Sequence, residues 1–154
     1  MKLRKYLPSD CPALAELFFH TVHTINAKDY TESQLDVWAS GKIDLSAWNK
    51  SFLEHNTIIA ETDRIITGFG DMACDGFLDR LYVHKDFQNK GIASAILKEL
   101  ERHAMLNGVV RFATHASITA RPFFENRGYQ VVRKNIVIRC GIELTNYIMT
   151  KYII

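Results

Sequence analysis

Residues 77–114 place a strand-like run, FLDRLYV, and a glycine-bearing turn, FQNKGIAS, ahead of a long helical run and a second strand-like run, VVRFAT. The helix begins near Gly91, carries Ile92, Ile96, Leu97, Leu100 and Ala104 inward, and ends at Asn107–Gly108. Two strands joined by a crossover helix must lie parallel in their sheet. The segments around this unit read differently. NTIIAE, the Asp63–Arg64 turn and IITGFGDMA form a hairpin, and VVRKNIVIR and IELTNYIMTKYI close the chain as two long strands. Hairpins beside a single crossover predict an α/β fold (α+β mixed sheet), mostly antiparallel with one parallel pair and flanked by helices. Ligands of such sheets bind at the carboxyl ends of the parallel strands.

The rest of the chain fits that frame. LRKY is a short strand, stopped by Pro8, Ser9 and Asp10, which offer an N-cap, while Pro12 suits the first helical turn. Leu14, Leu17, Phe18, Thr21, Val22 and Ile25 then repeat at helical spacing. In TESQLDVW, Thr31 and Gln34 stand in capping-box relation before a shorter helix with Leu35 and Trp38 on one face. A loop is expected from Gly41 to Asn49, and SITARPFFENR reads as a short helix closed by Gly128.

With 154 residues the chain matches one domain spanning 1–154. A formal net charge of +2, with the basic residues scattered, gives no footprint for nucleic acid. No apolar run approaches the roughly 20 residues of a membrane span, and MKLRKYLPSD shows no apolar stretch behind its charges, so no membrane and a soluble, cytoplasmic setting are expected. Cys11, Cys74 and Cys140 are odd in number and far apart, which predicts buried or partly buried free thiols rather than disulfides or a thiolate metal cage. His20 and His23 lack a third ligand at metal spacing, so no metal is expected.

The turn itself points to an anion. A helix start leaves backbone N–H groups without partners, and its dipole favours negative charge there. From Gly91 to Lys98 no acidic residue occupies that position, Ala93 and Ser94 are small, and Lys90 adds a positive charge. Neither GxxxxGK[ST] nor GxGxxG is present, which disfavours mononucleotide P-loops and dinucleotide folds.

LDRLYVHKDFQNKGIASAILKELE resembles the acetyl-CoA signature of the GNAT superfamily of N-acetyltransferases, whose turn reads Gln/Arg-x-x-Gly-x-Gly/Ala; here it is Gln88, Asn89, Lys90, Gly91, Ile92, Ala93. ASITARPFFENRGY is similar to the superfamily's second signature, a helix with an Ala and an aromatic pair ending at Gly-aromatic. The order of elements resembles the family from end to end. The resemblance implies that the parallel strands splay, that Leu81, Tyr82 and Val83 pair with the pantetheine arm of acetyl-CoA, and that the amides of Gln88, Asn89, Lys90, Gly91, Ile92, Ala93 and Ser94 cradle its pyrophosphate. It implies that an amide near Leu81 or Val83 bonds the thioester oxygen. It also implies that Ser117 stands where many relatives carry an Asn, with Ala120, Phe123 and Phe124 packed along the arm.

One position departs from the pattern. Many members place a Tyr second in the aromatic pair to protonate the departing thiolate, and here Phe124 has no proton to give. Tyr82, Tyr147 or solvent remain as donors. The implied reaction is direct attack of a neutral amine, from a small molecule or peptide, on acetyl-CoA, with Asp79 or His115 as candidate base. The family's acceptor region corresponds to HTVHTINAKDYTESQLDVWA, which makes His23, Tyr30 and Trp38 the substrate-binding candidates. The missing tyrosine keeps an alternative open, a non-catalytic acyl-CoA-binding sensor or structural module of the same fold, and a homodimer is left open as well.

Overall fold

The computed structural model describes residues 1–153. Among them seven strands form one sheet: β1 (Lys2–Lys5), β2 (Asn56–Thr62), β3 (Ile65–Met72), β4 (Phe77–Val83), β5 (Arg111–Ser117), β6 (Gln130–Arg139) and β7 (Ile142–Tyr152). Their order across the sheet is β1-β2-β3-β4-β5-β7-β6. Neighbouring pairs are antiparallel except β4 with β5, the two strands joined by the crossover helix. The mixed sheet with one parallel pair is therefore as expected.

Five helices of the described residues flank it: α1 (Cys11–Ile25), α2 (Glu32–Trp38), α3 (Leu45–Glu54), α4 (Ile92–Leu106) and α5 (Arg121–Glu125). Local chemistry explains most of their ends. The capping box at α2 forms, with Gln34 N–H donating to Thr31 Oγ1 at 3.2 Å and the Gln34 side chain accepting from Thr31 N–H at 2.8 Å. Asp63 and Arg64 both take positive φ, 50° and 67°, as the tightest hairpin turns require. Asp10 stands at the start of α1 but does not cap it with its side chain; its carboxylate instead holds the Arg4 guanidinium at 2.8 Å.

The stretch read as a loop from Gly41 to Asn49 is a correction. It ends in α3, which Asp44 caps by accepting from Ala47 N–H at 3.1 Å. The helix was hidden because Phe52 is its sole fully buried residue, Trp48 is half-buried, and Leu45 and Leu53 face out, so no apolar stripe shows in the sequence. The cysteines need correcting too. Cys11 is buried, whereas Cys74 and Cys140 are exposed because they sit in the turns after β3 and β6, outside any packed face.

Two cores lie on opposite faces of the sheet. α4 buries Ile92, Ile96, Leu97, Leu100 and Ala104 against Met72, Leu78, Phe112 and Met149. On the other face α1, α2 and α3 close over Ile59 and Phe69. The start of α4 lies so near the sheet that a Cβ at Gly68 would stand 2.9 Å from Ile92 Cγ2, so β3 must be bare at this point.

Candidate active site

The sheet opens where its parallel pair should continue. β4 and β5 are in register only at Phe77 with Ala113 and Leu78 with Thr114. Beyond them the strands diverge, and the gap is a cleft of about 640 Å³ at their carboxyl ends. A bulge marks the opening: the β3–β4 register passes from Asp71 opposite Arg80 to Met72 opposite Leu78, which leaves Asp79 without a partner on β3.

Past the bulge, β4 offers a free edge to the cleft. His84 N–H donates to Thr67 of β3 at 2.8 Å. Strand alternation then turns Tyr82 N–H toward β3 as well, and turns the N–H groups of Leu81 and Val83 toward the cleft. The Val83 carbonyl on that edge is already used, accepting from Thr21 Oγ1 at 3.0 Å and Gln88 Nε2 at 2.8 Å. The second bond ties the turn to the end of the strand.

Gln88, Asn89, Gly91, Ile92, Ala93 and Ser94 line the outer end of the cleft, while Lys90 is exposed beside it. Phe87 N–H donates to His84 and Ala95 N–H donates to Gly91. Between those two bonds, no chain oxygen among the described residues accepts from the amides of Gln88 to Ser94. Asn89 and Gly91 adopt left-handed φ of 60° and 79°, and no acidic side chain enters the first turn of α4. A turn built this way presents a cluster of donors and the positive end of a helix to a bulky anion.

The far wall comes from the second motif. Ser117, Ala120, Phe123 and Phe124 line it. The Ser117 hydroxyl accepts from Ala120 N–H at 3.0 Å, and Phe124 is 4% exposed with its ring 5.2 Å from that of Tyr129.

The catalytic candidates are divided. Tyr82 lines the cleft, its ring packed on Phe18 and Phe69, and burial pushes its phenol well above the ordinary value while the Trp38 indole pulls weakly the other way. Asp79 and His115 do not line it. Each stands one residue past the last paired position of its strand, beside the apex of the opening, and both are exposed. His115 lies within β5, edge-on to Phe77 at 5.2 Å. Asp79 sits at the bulge, and its carboxylate lies 3.4 Å from Arg80.

The acceptor candidates are elsewhere in the fold. His23 Nε2 is 2.7 Å from the Ala39 carbonyl, Tyr30 donates its hydroxyl to the Thr145 carbonyl at 2.6 Å and accepts from Ile118 N–H, and Trp38 packs 5.1 Å from Tyr30. None of the three lines the cleft, although the Trp38 indole reaches the Tyr82 phenol that does; Tyr30 ties the connection between α1 and α2 to β7, and His23 ties α1 to the residue after α2. Lining residues that had not been singled out as site residues include Thr21, Thr24 and Asn26 at the end of α1, Lys28 just beyond it, and Arg127 after α5. Arg127 hydrogen-bonds Ser94 and stacks 3.8 Å over Phe123. Thr21 and Ile25 had shown the right helical face; Asn26 and Arg127 are joined to the site by the fold alone.

Behind the bulge lies a charged cluster. Asp71 is fully buried, and its carboxylate accepts from Arg80 Nε at 2.9 Å, Arg80 Nη2 at 2.6 Å and His55 Nδ1 at 2.7 Å. The Arg80 guanidinium also lies over the ring of Phe52 at 4.3 Å. Donor atoms of His55, Asp71 and Asp79 fall within 4.8 Å of one another, but this guanidinium already neutralises the carboxylates.

Similarity to known proteins agrees with this geometry. Residues 26–151 match the family model described as an acetyltransferase (GNAT) domain. The uncharacterized N-acetyltransferase YafP of Escherichia coli is 30% identical over 149 residues, covering 97% of this chain and 94% of that protein. A GCN5-related N-acetyltransferase structure (aminotransferase, class-II) from Rhodopseudomonas palustris is 32% identical and superposes with a TM-score of 0.94, covering 99% of this chain and 95% of its own. The PaiA N-acetyltransferase of Thermoplasma acidophilum, solved with coenzyme A, shares the fold at a TM-score of 0.81 and 19% identity, covering 98% of each chain. Sequence match, sheet order and splayed pair together make this chain a member of the GNAT acetyltransferase family.

Proposed function

We propose that the protein moves an acetyl group from acetyl-CoA to a primary amine of a small molecule or peptide, by direct attack with both substrates held in one complex. The observation that carries this reading is the run of unpartnered amides from Gln88 to Ser94 at the mouth of a cleft walled by the free edge of β4. Family membership supports it, as does the coenzyme A bound by the Thermoplasma relative.

On this reading the turn holds the diphosphate, with Lys90 nearby as a point charge. The N–H groups of Leu81 and Val83 bond the pantetheine arm, and one of them takes the charge that develops on the thioester oxygen. Ser117, Ala120, Phe123 and Phe124 pack the other side. When bound, acetyl-CoA supplies an acyl group already activated as a thioester. An alkylamine is neutral only about once in two thousand molecules at pH 7, so its proton must be taken up. Asp79 and His115, exposed at the apex, receive it through water. A reaction drawing on acetyl-CoA belongs, on this reading, in the cytoplasm.

Phe124 favours a second reading, a module that binds acyl-CoA without turnover, because it lacks the hydroxyl that would serve a leaving thiolate. Release of free thiol from acetyl-CoA across a broad amine panel, with direct measurement of coenzyme A binding, separates them. Steady release with at least one amine is expected. Tight binding with no release across the panel would establish the sensor instead, and no binding would sink both.

A further inference from the structure

Asn26 directly follows α1 and is 6% exposed, yet its side chain is poorly served by the protein. A carboxamide can donate two hydrogen bonds and accept two, and buried ones are ordinarily satisfied. Among the described residues this one makes a single contact, from Nδ2 to Ser117 Oγ at 3.5 Å, the outer limit of a hydrogen bond. Ser117 Oγ is already accepting from Ala120 N–H. Because Asn26 lines the cleft, its unmet bonding capacity is available there.

Its position is as telling as its chemistry. Thr21, five residues earlier, fixes α1 against the end of β4 through the Val83 carbonyl, and Ser117 is the last residue of β5. Asn26 therefore closes the wide end of the opening between the two diverging strands. A flexible arm running inward from the turn at residues 88–94 must pass it. Secondary amides of such an arm each need an acceptor for N–H and a donor for C=O once they leave water. The β4 edge supplies donors at Leu81 and Val83 and an acceptor at Leu81, but Thr21 and Gln88 have taken its Val83 acceptor, so the edge is one acceptor short. Asn26 Oδ1 meets that need.

We propose that Asn26 binds the pantetheine arm of coenzyme A, its Oδ1 accepting from, and its Nδ2 donating to, a secondary amide of the arm. The assignment rests on the reading that this cleft takes coenzyme A. Calorimetric titration of Asn26→Ala and Asn26→Leu with two ligands tests it: coenzyme A, and its nucleotide head alone, 3'-phospho-ADP. Affinity for coenzyme A should fall about tenfold in both variants, the loss of one or two hydrogen bonds. Affinity for 3'-phospho-ADP should stay at the wild-type value, which also shows that the variants are folded. Unchanged affinity for coenzyme A, or an equal loss for both ligands, would overturn the assignment. Wild-type protein that binds neither ligand would remove the cofactor reading, and the assignment with it.

Discussion

Gly91 and Tyr82 show how much a single residue can decide in this cleft. Gly91 sits at φ +79°, where an L-residue costs roughly 1–2 kcal/mol, and nothing lies within 4 Å of a Cβ added there. Gly91→Glu should therefore fold, with a modest fall in melting temperature, while its carboxylate meets the donors proposed to hold phosphate. Coenzyme A affinity is expected to drop by about a hundredfold or more, since opposed like charges cost several kcal/mol; unchanged affinity in a titration would move the anion site elsewhere. Tyr82 is subtler. Its phenol is pushed up by burial, whereas an ordinary thiol titrates near 8.5. Passing a proton from that phenol to an ordinary thiolate runs uphill, so on the proposed reading Tyr82 would serve sulfur as a hydrogen-bond donor more than as an acid. Tyr82→Phe should lower kcat by less than about tenfold and leave the pH–rate profile unmoved, whereas a thousandfold loss would restore the acid role. The turn was legible in the sequence because its constraint is local, a glycine and a helix start lacking acid. Asn26 was not, because what makes it notable is a contact with Ser117, 91 residues away.

At the scale of elements, β3, β4 and α3 are joined by the buried Asp71–Arg80 pair at the last register position before the bulge. Removing one partner strands a charge with no water to receive it. Asp71→Asn should thus destabilise by about 3–5 kcal/mol, a fall of about 10 °C in melting temperature for a chain of this size; a change below about 2 °C would mean the pair is dispensable. His55 adds a pH dependence. Its bond to Asp71 raises its pKa above the ordinary 6.5, against a smaller effect of burial. Its contribution is fully present below that ordinary value and is lost as pH rises through the higher folded value. Stability measured by denaturant should therefore decline from pH 6 to pH 8 more in the wild type than in His55→Gln, and equal declines would exclude the effect. None of this could be read in advance, because α3, which brings Ser51 and Phe52 against Arg80, leaves no apolar periodicity.

Across the whole molecule, the mixed, mostly antiparallel sheet with its one parallel pair followed from counting crossovers: a chain with one strand–helix–strand unit among hairpins has few ways to arrange itself. Capping signals at Thr31 and Gly91 and the inward face of α4 also carried through. What did not carry through was anything that needed two distant segments at once: the exposure of Asp79 and His115 beside the apex, the docking role of His23, Tyr30 and Trp38, and the polar end of α1 in the cleft. The parting of β4 from β5 after two residue pairs has one more effect. On the proposed reading, nearly all the groups that hold the carrier, the turn and the free strand edge, engage parts that are identical before and after the acetyl group departs. Spent carrier should hence rival fresh carrier for the same seat, and velocity should follow the proportion of the two rather than the supply of either. Raising free coenzyme A at constant acetyl-CoA ought to slow turnover competitively; a rate indifferent to it would mean that the acetyl end, small as it is, governs occupancy.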